Sequence, residues 1–183
     1  MELKSWLENN PEEAKALNYI TICGSGEPTL HLNIGDLVLR IKEMTPLPVA
    51  VITNSSLLVR QEVRSSLLGA SLIVPSLDAV RQDIFEKIDR PLAGIRVEDI
   101  VEGLVALRKE FRGKIWLEIM LAKGLNDDLR HIKRFKDVLE RINPDKIQLN
   151  SPVRTPAGSG VLPVAKAKLN KIKEILGEKC EVL

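Results

Sequence analysis

The stretch Tyr19-Ile20-Thr21-Ile22-Cys23-Gly24-Ser25-Gly26-Glu27-Pro28-Thr29 runs a short β-branched segment straight into a glycine-rich bend. Tyr19 to Cys23 carries the residue types that fit a pleated, half-buried surface, so it reads as a strand. The bend that ends it holds a carboxylate, Glu27, between glycine and proline. Downstream, Leu37, Val38 and Ile41 mark a helix that stops before Pro46, and Val49 to Thr53 is a second strand.

This beat repeats along the chain. A helix from about Leu58 to Leu68 is followed by Gly69, a natural C-cap. Ser71 to Ser76 is a third strand, and Arg81 to Ile88 a short helix ended by Pro91. Val97 to Phe111 gives the clearest helical period, with Val97, Ile100, Val101, Leu104, Val105 and Leu107 on one wide apolar face. Ile115 to Leu121 is a fourth strand, Asp127 to Arg141 a helix after an Asn-Asp-Asp start, and Lys146 to Asn150 a fifth strand. Val164 to Leu176 is a closing helix, and Met1 to Leu17 an opening one interrupted near Asn10-Pro11.

Strand–helix alternation of this kind argues for an α/β domain with a parallel sheet and right-handed crossovers. No Ser/Gly-rich linker divides the chain, so residues 1–183 read as one domain. A complete eightfold barrel takes about 250 residues. Five strands with outer helices therefore mean a smaller or partial barrel, or an open doubly wound sheet.

Composition narrows the function classes. Aromatic residues make up only 3% and the apolar content is 44%, which suits buried parallel strands better than a base-stacking surface. A net charge of +2, from 27 basic and 25 acidic residues, gives no electrostatic footprint for nucleic acid or membrane. No apolar run approaches the roughly 20 residues of a spanning helix, and Met1 to Asn10 is no secretory signal. Cys23 and Cys180 are too far apart in sequence to imply a disulfide framework, so a reducing cytosol is the expected compartment.

In parallel β/α folds chemistry gathers at the carboxyl ends of the strands. The five exits carry Gly24-Ser25-Gly26-Glu27-Pro28, Thr53-Asn54-Ser55-Ser56, Pro75-Ser76-Leu77-Asp78, Glu118 followed by Lys123, and Gln148-Leu149-Asn150-Ser151. Any one of these also fits an ordinary turn or cap. Glu118, between Leu117 and Ile119, needs a partner if it faces the interior, and a buried structural ion pair is the competing account. Gln148 and Asn150 share a face by the two-residue period. The Gly24 to Pro28 bend lets a ligand approach the backbone. Its glycine spacing does not fit a dinucleotide fingerprint, and Glu27 repels phosphate, so recognition of a cation such as an amino group fits better.

At these residues the sequence resembles the radical S-adenosylmethionine (SAM) superfamily. Gly24-Ser25-Gly26-Glu27-Pro28 is similar to that family's glycine-glycine-glutamate-proline turn, with Ser25 where an extra glycine is common. Val51 to Ser55 resembles its threonine-asparagine-glycine strand exit, and Pro75 to Ala79 its serine-leucine-aspartate segment. The likeness runs from about Tyr19 to Pro156. Within the family the chain most resembles Fe–S oxidoreductases grouped with wyosine-type tRNA modification enzymes; Gln148 to Arg154 fits that group's uncharacterised members better than the true wyosine synthases, so the resemblance implies no tRNA substrate.

The resemblance implies SAM as the small-molecule partner and, in an intact member, a [4Fe–4S] cluster whose electron cleaves SAM to a 5′-deoxyadenosyl radical. That radical takes hydrogen from a substrate, which the sequence does not identify. It also implies that Gly26 and Glu27 hold the methionine amine and that Ser76 and Asp78 contact the carboxylate or ribose. Asn54 and Asn150 would line the pocket, and Glu118 and Lys123 would meet SAM or substrate.

One departure from the family is plain. The CxxxCxxC loop that ligates the cluster is missing, and Cys23 reads as a small buried thiol with Cys180 in the tail. The chain is therefore expected to be a truncated or degenerate member, without its first strand, that does not ligate the cluster and is inactive in reductive cleavage. A non-catalytic SAM- or nucleotide-binding module and an ordinary β/α-barrel lyase or aldolase are the alternatives. The Tyr19 strand is expected to present a long unpaired edge, inviting self-association.

Overall fold

Alternating burial within each strand sets the architecture. In the computed structural model, which describes residues 2–152 and 161–183, Ile115, Leu117 and Ile119 of β4 (Lys114–Met120) are buried while Trp116, Glu118 and Met120 are half-buried. β5 (Lys146–Asn150) repeats the pattern, with Ile147 and Leu149 buried between half-buried Lys146, Gln148 and Asn150. β4 and β5 thus give one buried apolar face to the helices and a second, half-buried face that carries their polar residues.

The other strands are β1 (Ile20–Ile22), β2 (Val49–Thr53), β3 (Leu72–Pro75) and β6 (Cys180–Val182). All neighbours pair in parallel, in the order β1-β2-β3-β4-β5-β6. Chain order equals spatial order, so every crossover advances one place and the helices line one face. These are α3 (Ile34–Met44), α4 (Gln61–Leu67), α5 (Gln82–Ile88), α6 (Val97–Glu110), α7 (Leu129–Ile142) and α8 (Lys166–Leu176), after the short α1 (Glu2–Asn9) and α2 (Pro11–Lys15). α3 packs on α4, α6 on α7 and α7 on α8.

The opposite face is concave. Tyr19, just before β1, meets Trp116 of β4 edge-on with ring centroids 6.0 Å apart. Three strand spacings in a flat sheet come to about 14 Å, so the sheet curls toward a barrel. The expected partial parallel barrel is the observed fold, with six strands rather than five. β6 escapes the sequence reading because it has only three residues, set behind Gly177 at φ 98° and the charged Glu178-Lys179 pair.

Two further differences concern caps and edges. Helix α4 is capped at Leu68 in right-handed geometry, and Gly69 is not among the positive-φ glycines, so it does not act as the left-handed cap. β1 does lie at the sheet edge, paired only with β2, but at three residues it is short rather than long. Such brevity is one of the ways native sheets blunt an edge.

Two tight contacts lock α4 and α6 onto the loop that joins β2 to α4. A Cβ at Gly103 of α6 would lie 2.6 Å from the Leu58 carbonyl carbon and the Val59 nitrogen, so only glycine fits there. Arg64 of α4 donates through Nε and Nη2 to Glu110 of α6 at 2.9 and 2.8 Å, and through Nη1 to the Leu58 and Val59 carbonyls. Glu110 is thereby held below the usual carboxylate range, chiefly by its hydrogen bonds from Arg64. Among the described residues no helix is long and apolar enough to cross a membrane.

Candidate functional site

Pro28 opens a 3-10 turn (Pro28–Leu30), and Glu27 caps it by accepting from the Thr29 backbone N–H at 2.9 Å. The same oxygen, Oε1, accepts from Thr29 Oγ1 at 2.6 Å and from Thr53 Oγ1, at the end of β2, at 2.7 Å. Oε2 accepts from the Asn54 backbone N–H at 2.7 Å. One carboxylate therefore staples the first strand exit to the second.

The second exit is tied to the third in turn. Thr53 Oγ1 accepts from Ser55 N, and Ser55, buried and at φ 68°, donates through Oγ to the Ser76 carbonyl at 2.7 Å. Ser76 N returns a bond to the Thr53 carbonyl at 2.9 Å. Ser55 occupies the left-handed region that ordinarily favours glycine, at the position where the resembling family commonly has one.

These three exits enclose a cleft of about 220 Å³ lined by Cys23, Gly24, Gly26, Glu27, Pro28, Ile52, Thr53, Asn54 and Ser76. A Cβ on Gly26 would meet nothing within 4 Å, so that edge of the bend faces open space. Six of the expected site residues line this cleft: Gly24, Gly26, Glu27, Pro28, Asn54 and Ser76. Ser25 is in the bend but does not line it. Both Glu27 oxygens are engaged by the scaffold, so this carboxylate braces the bend beside the cleft.

Glu118 and Asn150 belong to the adjoining concave face. Ser76 bridges to Glu118, Glu118 is in register with Gln148, and Gln148 with Glu181 of β6, so these four form one polar row across four strands. Asn150 Nδ2 donates to Glu118 Oε1, which gives that carboxylate the partner it was expected to need. Gln148 Nε2 donates to Glu181 at 3.0 Å, and Lys146 pairs with Glu181 at 3.2 Å. Among the described residues the buried Asn150 Oδ1 has no hydrogen-bond partner. A ligand donor reaching this face would satisfy it.

Asp78 departs from expectation. Its Oδ1 accepts from Met120 N at 2.8 Å, tying the β3 exit to the end of β4. Burial, then the neighbouring Asp89 carboxylate, push the Asp78 carboxyl up to about 8. It is a structural carboxyl beside the site, not a lining group of the cleft. Lys123 likewise lies elsewhere, with Asp127 and Lys168 around a separate cavity of about 250 Å³.

Several residues that shape the site were missed by sequence reasoning. Cys23 was expected to be buried but is exposed and lines the cleft, because β1 ends at Ile22 and the chain has already turned outward. Cys180, placed in the tail, is a buried β6 residue whose thiol is pushed up to about 12 by burial. Asn126, passed over as a helix lead-in, is fully buried; it donates to the Asp78 and Met120 carbonyls and accepts from Ala122 N. Among the described residues no group of three or more His, Cys, Asp or Glu side chains is arranged to hold a metal ion. Val153 and Arg154, part of the family likeness, lie outside the described residues, as does its end at Pro156.

The family model described as the radical SAM superfamily matches residues 5–135. A protein named GTPase Obg from Brachyspira hyodysenteriae is 39% identical over 99% of this chain and 26% of its own length. The UPF0026 protein MJ1312 from Methanocaldococcus jannaschii is 32% identical over 88% of this chain and 50% of its own. The chain thus spans half or less of the length of these curated relatives. A crystal structure of a domain of the pyruvate-formate lyase-activating enzyme from Bacteroides vulgatus superposes with a TM-score of 0.71 at 21% identity, covering 89% of this chain and 97% of that one.

Proposed function

Because the chain belongs to the radical SAM superfamily, we propose that the cleft between the first three strand exits holds SAM by its methionine end. The observation that carries this is the gathering of Gly24, Gly26, Glu27, Pro28, Asn54 and Ser76, from three separate exits, around one cleft. Carbonyl groups of the open glycine edge accept from the ammonium, and the Glu27 charge, fixed by its four donors, favours a cationic ligand nearby. In this reading the Asn54 side chain and Ser76 hydroxyl, both lining the cleft, take the carboxylate or ribose. The nucleoside end then extends over the concave row, where Asn150 Oδ1 is an unspent acceptor and Glu118 flanks it.

When bound, SAM supplies a sulfonium carbon–sulfur bond for one-electron cleavage. The protein's residues position that bond and shield it from water. The two thiols of this sequence do not furnish the three-thiolate set of a [4Fe–4S] cluster. Reductive cleavage is accordingly proposed only where such a set accompanies these residues, and the chain alone is inactive in it. This donor count favours a second reading, a non-catalytic SAM-binding module. The lyase reading loses its support, since Lys123 lies away from the cleft. Two unpaired thiols suit a reducing cytosol.

Calorimetric titration with SAM tests the site: saturable binding weakened by Asn54→Ala and Ser76→Ala is expected, and no binding heat at high protein concentration would reject it. Anaerobic incubation with iron, sulfide, dithionite and SAM separates the two readings. Release of 5′-deoxyadenosine from this chain would overturn the assignment of inactivity.

A further inference from the structure

The end of the sheet opposite the rim cleft has its own cavity, of about 480 Å³, formed where four strands begin. Ser71 precedes β3, Lys114 opens β4, Asp145 precedes β5 and Lys179 precedes β6; Arg108 and Arg112 reach it from the end of α6 and the turn beyond. Four basic side chains thus meet one carboxylate. The whole chain carries a net charge of only +2, so the net charge of this lining exceeds that of the chain as a whole.

The cations are partly preorganised. Arg108 Nη1 donates to Asp145 Oδ2 at 2.9 Å, and Arg108 Nη2 to the Gly113 carbonyl at 3.2 Å. Lys179 Nζ is held by Asn143 Oδ1 at 2.7 Å and the Pro144 carbonyl at 2.9 Å. Asp145 is already committed, since Oδ2 also accepts from Ile115 N at 2.8 Å. Arg112 and Lys114 are exposed and form no ion pair among the described residues. Convergent, incompletely neutralised cations in a concave site focus potential on a multiply charged oxyanion.

No aromatic side chain lines the cavity, so it offers nothing for a base to stack on. We infer that the amino end of the sheet is a binding site for a small polyphosphate anion, of the pyrophosphate type, gripped by Arg112 and Lys114 with Arg108 and Lys179 as fixed flanking charges. Its residues are separate from those of the SAM cleft, so the two assignments stand or fall independently.

The test is titration of the full chain with inorganic pyrophosphate at low ionic strength, by calorimetry. Binding that weakens with added salt is expected, and the Arg112→Gln/Lys114→Gln double variant should lose about tenfold or more in affinity. Both side chains are exposed, and an unchanged thermal melt confirms that the variant is folded. The inference is overturned if the wild-type chain gives no binding heat, if the double variant binds equally well, or if a mixed-sequence single-stranded oligonucleotide binds more tightly than pyrophosphate.

Discussion

Thr53 Oγ1 donates a 2.7 Å hydrogen bond to Glu27 Oε1, joining the end of β2 to the glycine bend that follows β1. The bond spans 26 residues of sequence and closes the cleft on one side. Because the same carboxylate also takes two bonds from Thr29 and one from Asn54, the bend's shape depends on it more than on the glycines.

Glu27→Gln is therefore expected to act on structure and binding together. An amide presents N–H groups where donors already point, leaving at least one donor unsatisfied at a cost of about 1–3 kcal/mol. For a chain of this size each kcal/mol lowers the melting midpoint by about 2–4 °C. Differential scanning calorimetry reads the stability loss, and SAM titration the weakened affinity. A variant that melts and binds like the wild type would show that the brace is dispensable.

Ser55 offers a sharper test of local geometry. Its φ of 68° disfavours a side chain, while its Oγ–Ser76 carbonyl bond favours serine. Ser55→Ala keeps the strain and removes the bond, so it should destabilise by about 1 kcal/mol. Ser55→Gly relieves strain of about 1–2 kcal/mol while losing the same bond, and should fall near neutral. Chemical denaturation of the pair resolves the difference; equal losses would contradict the account.

Two buried groups are expected to give the stability a pH dependence. The Asp78 carboxyl is raised from its ordinary 3.8 to about 8, first by burial and then by Asp89, so the folded state binds its proton more tightly. The stability this brings is complete below 3.8, and is lost as pH rises through about 8. His131 is buried, and neither ring nitrogen has a partner among the described residues; burial lowers its pKa below 6.5. Its contribution is present above 6.5 and is lost as pH falls through the lowered value. Asp78→Asn should flatten the alkaline side of a melting-temperature profile and His131→Phe the acid side. An unchanged profile in either variant would remove that group from the account.

The sequence made the repeating β/α beat legible because its apolar segments are well separated: the fourth strand and the α6 stripe both fold where they were read. It made the first three strand exits legible as well, since glycine, asparagine and serine directly follow apolar runs. What it did not disclose was where each carboxylate would point. Glu27 and Asp78 look alike as polar residues after a strand, yet Thr53 and Asn54 reach the one and Met120 the other only through the tertiary fold. β6 was hidden by its brevity, and the exposure of Cys23 by a strand that ends one residue sooner than its β-branched neighbours imply.

Gly103 sets helix propensity against packing. Glycine to alanine inside a helix ordinarily gains about 1 kcal/mol. Here the added carbon would meet backbone atoms of Leu58 and Val59 at 2.6 Å, and overpacking of this kind costs about 1–3 kcal/mol. Gly103→Ala should be net destabilising by urea denaturation, and a stabilised variant would show that α6 has room to shift.

The central claim is that SAM sits at the rim cleft, and amide chemical-shift mapping of the isotope-labelled chain tests it most directly. Saturating SAM should move the signals of Gly24, Gly26, Asn54 and Ser76 together with the Asn150 side-chain amide, while those of Ser71 and Lys179 at the far end of the sheet stay still. Shifts confined to that far end, or none at all, would contradict the account.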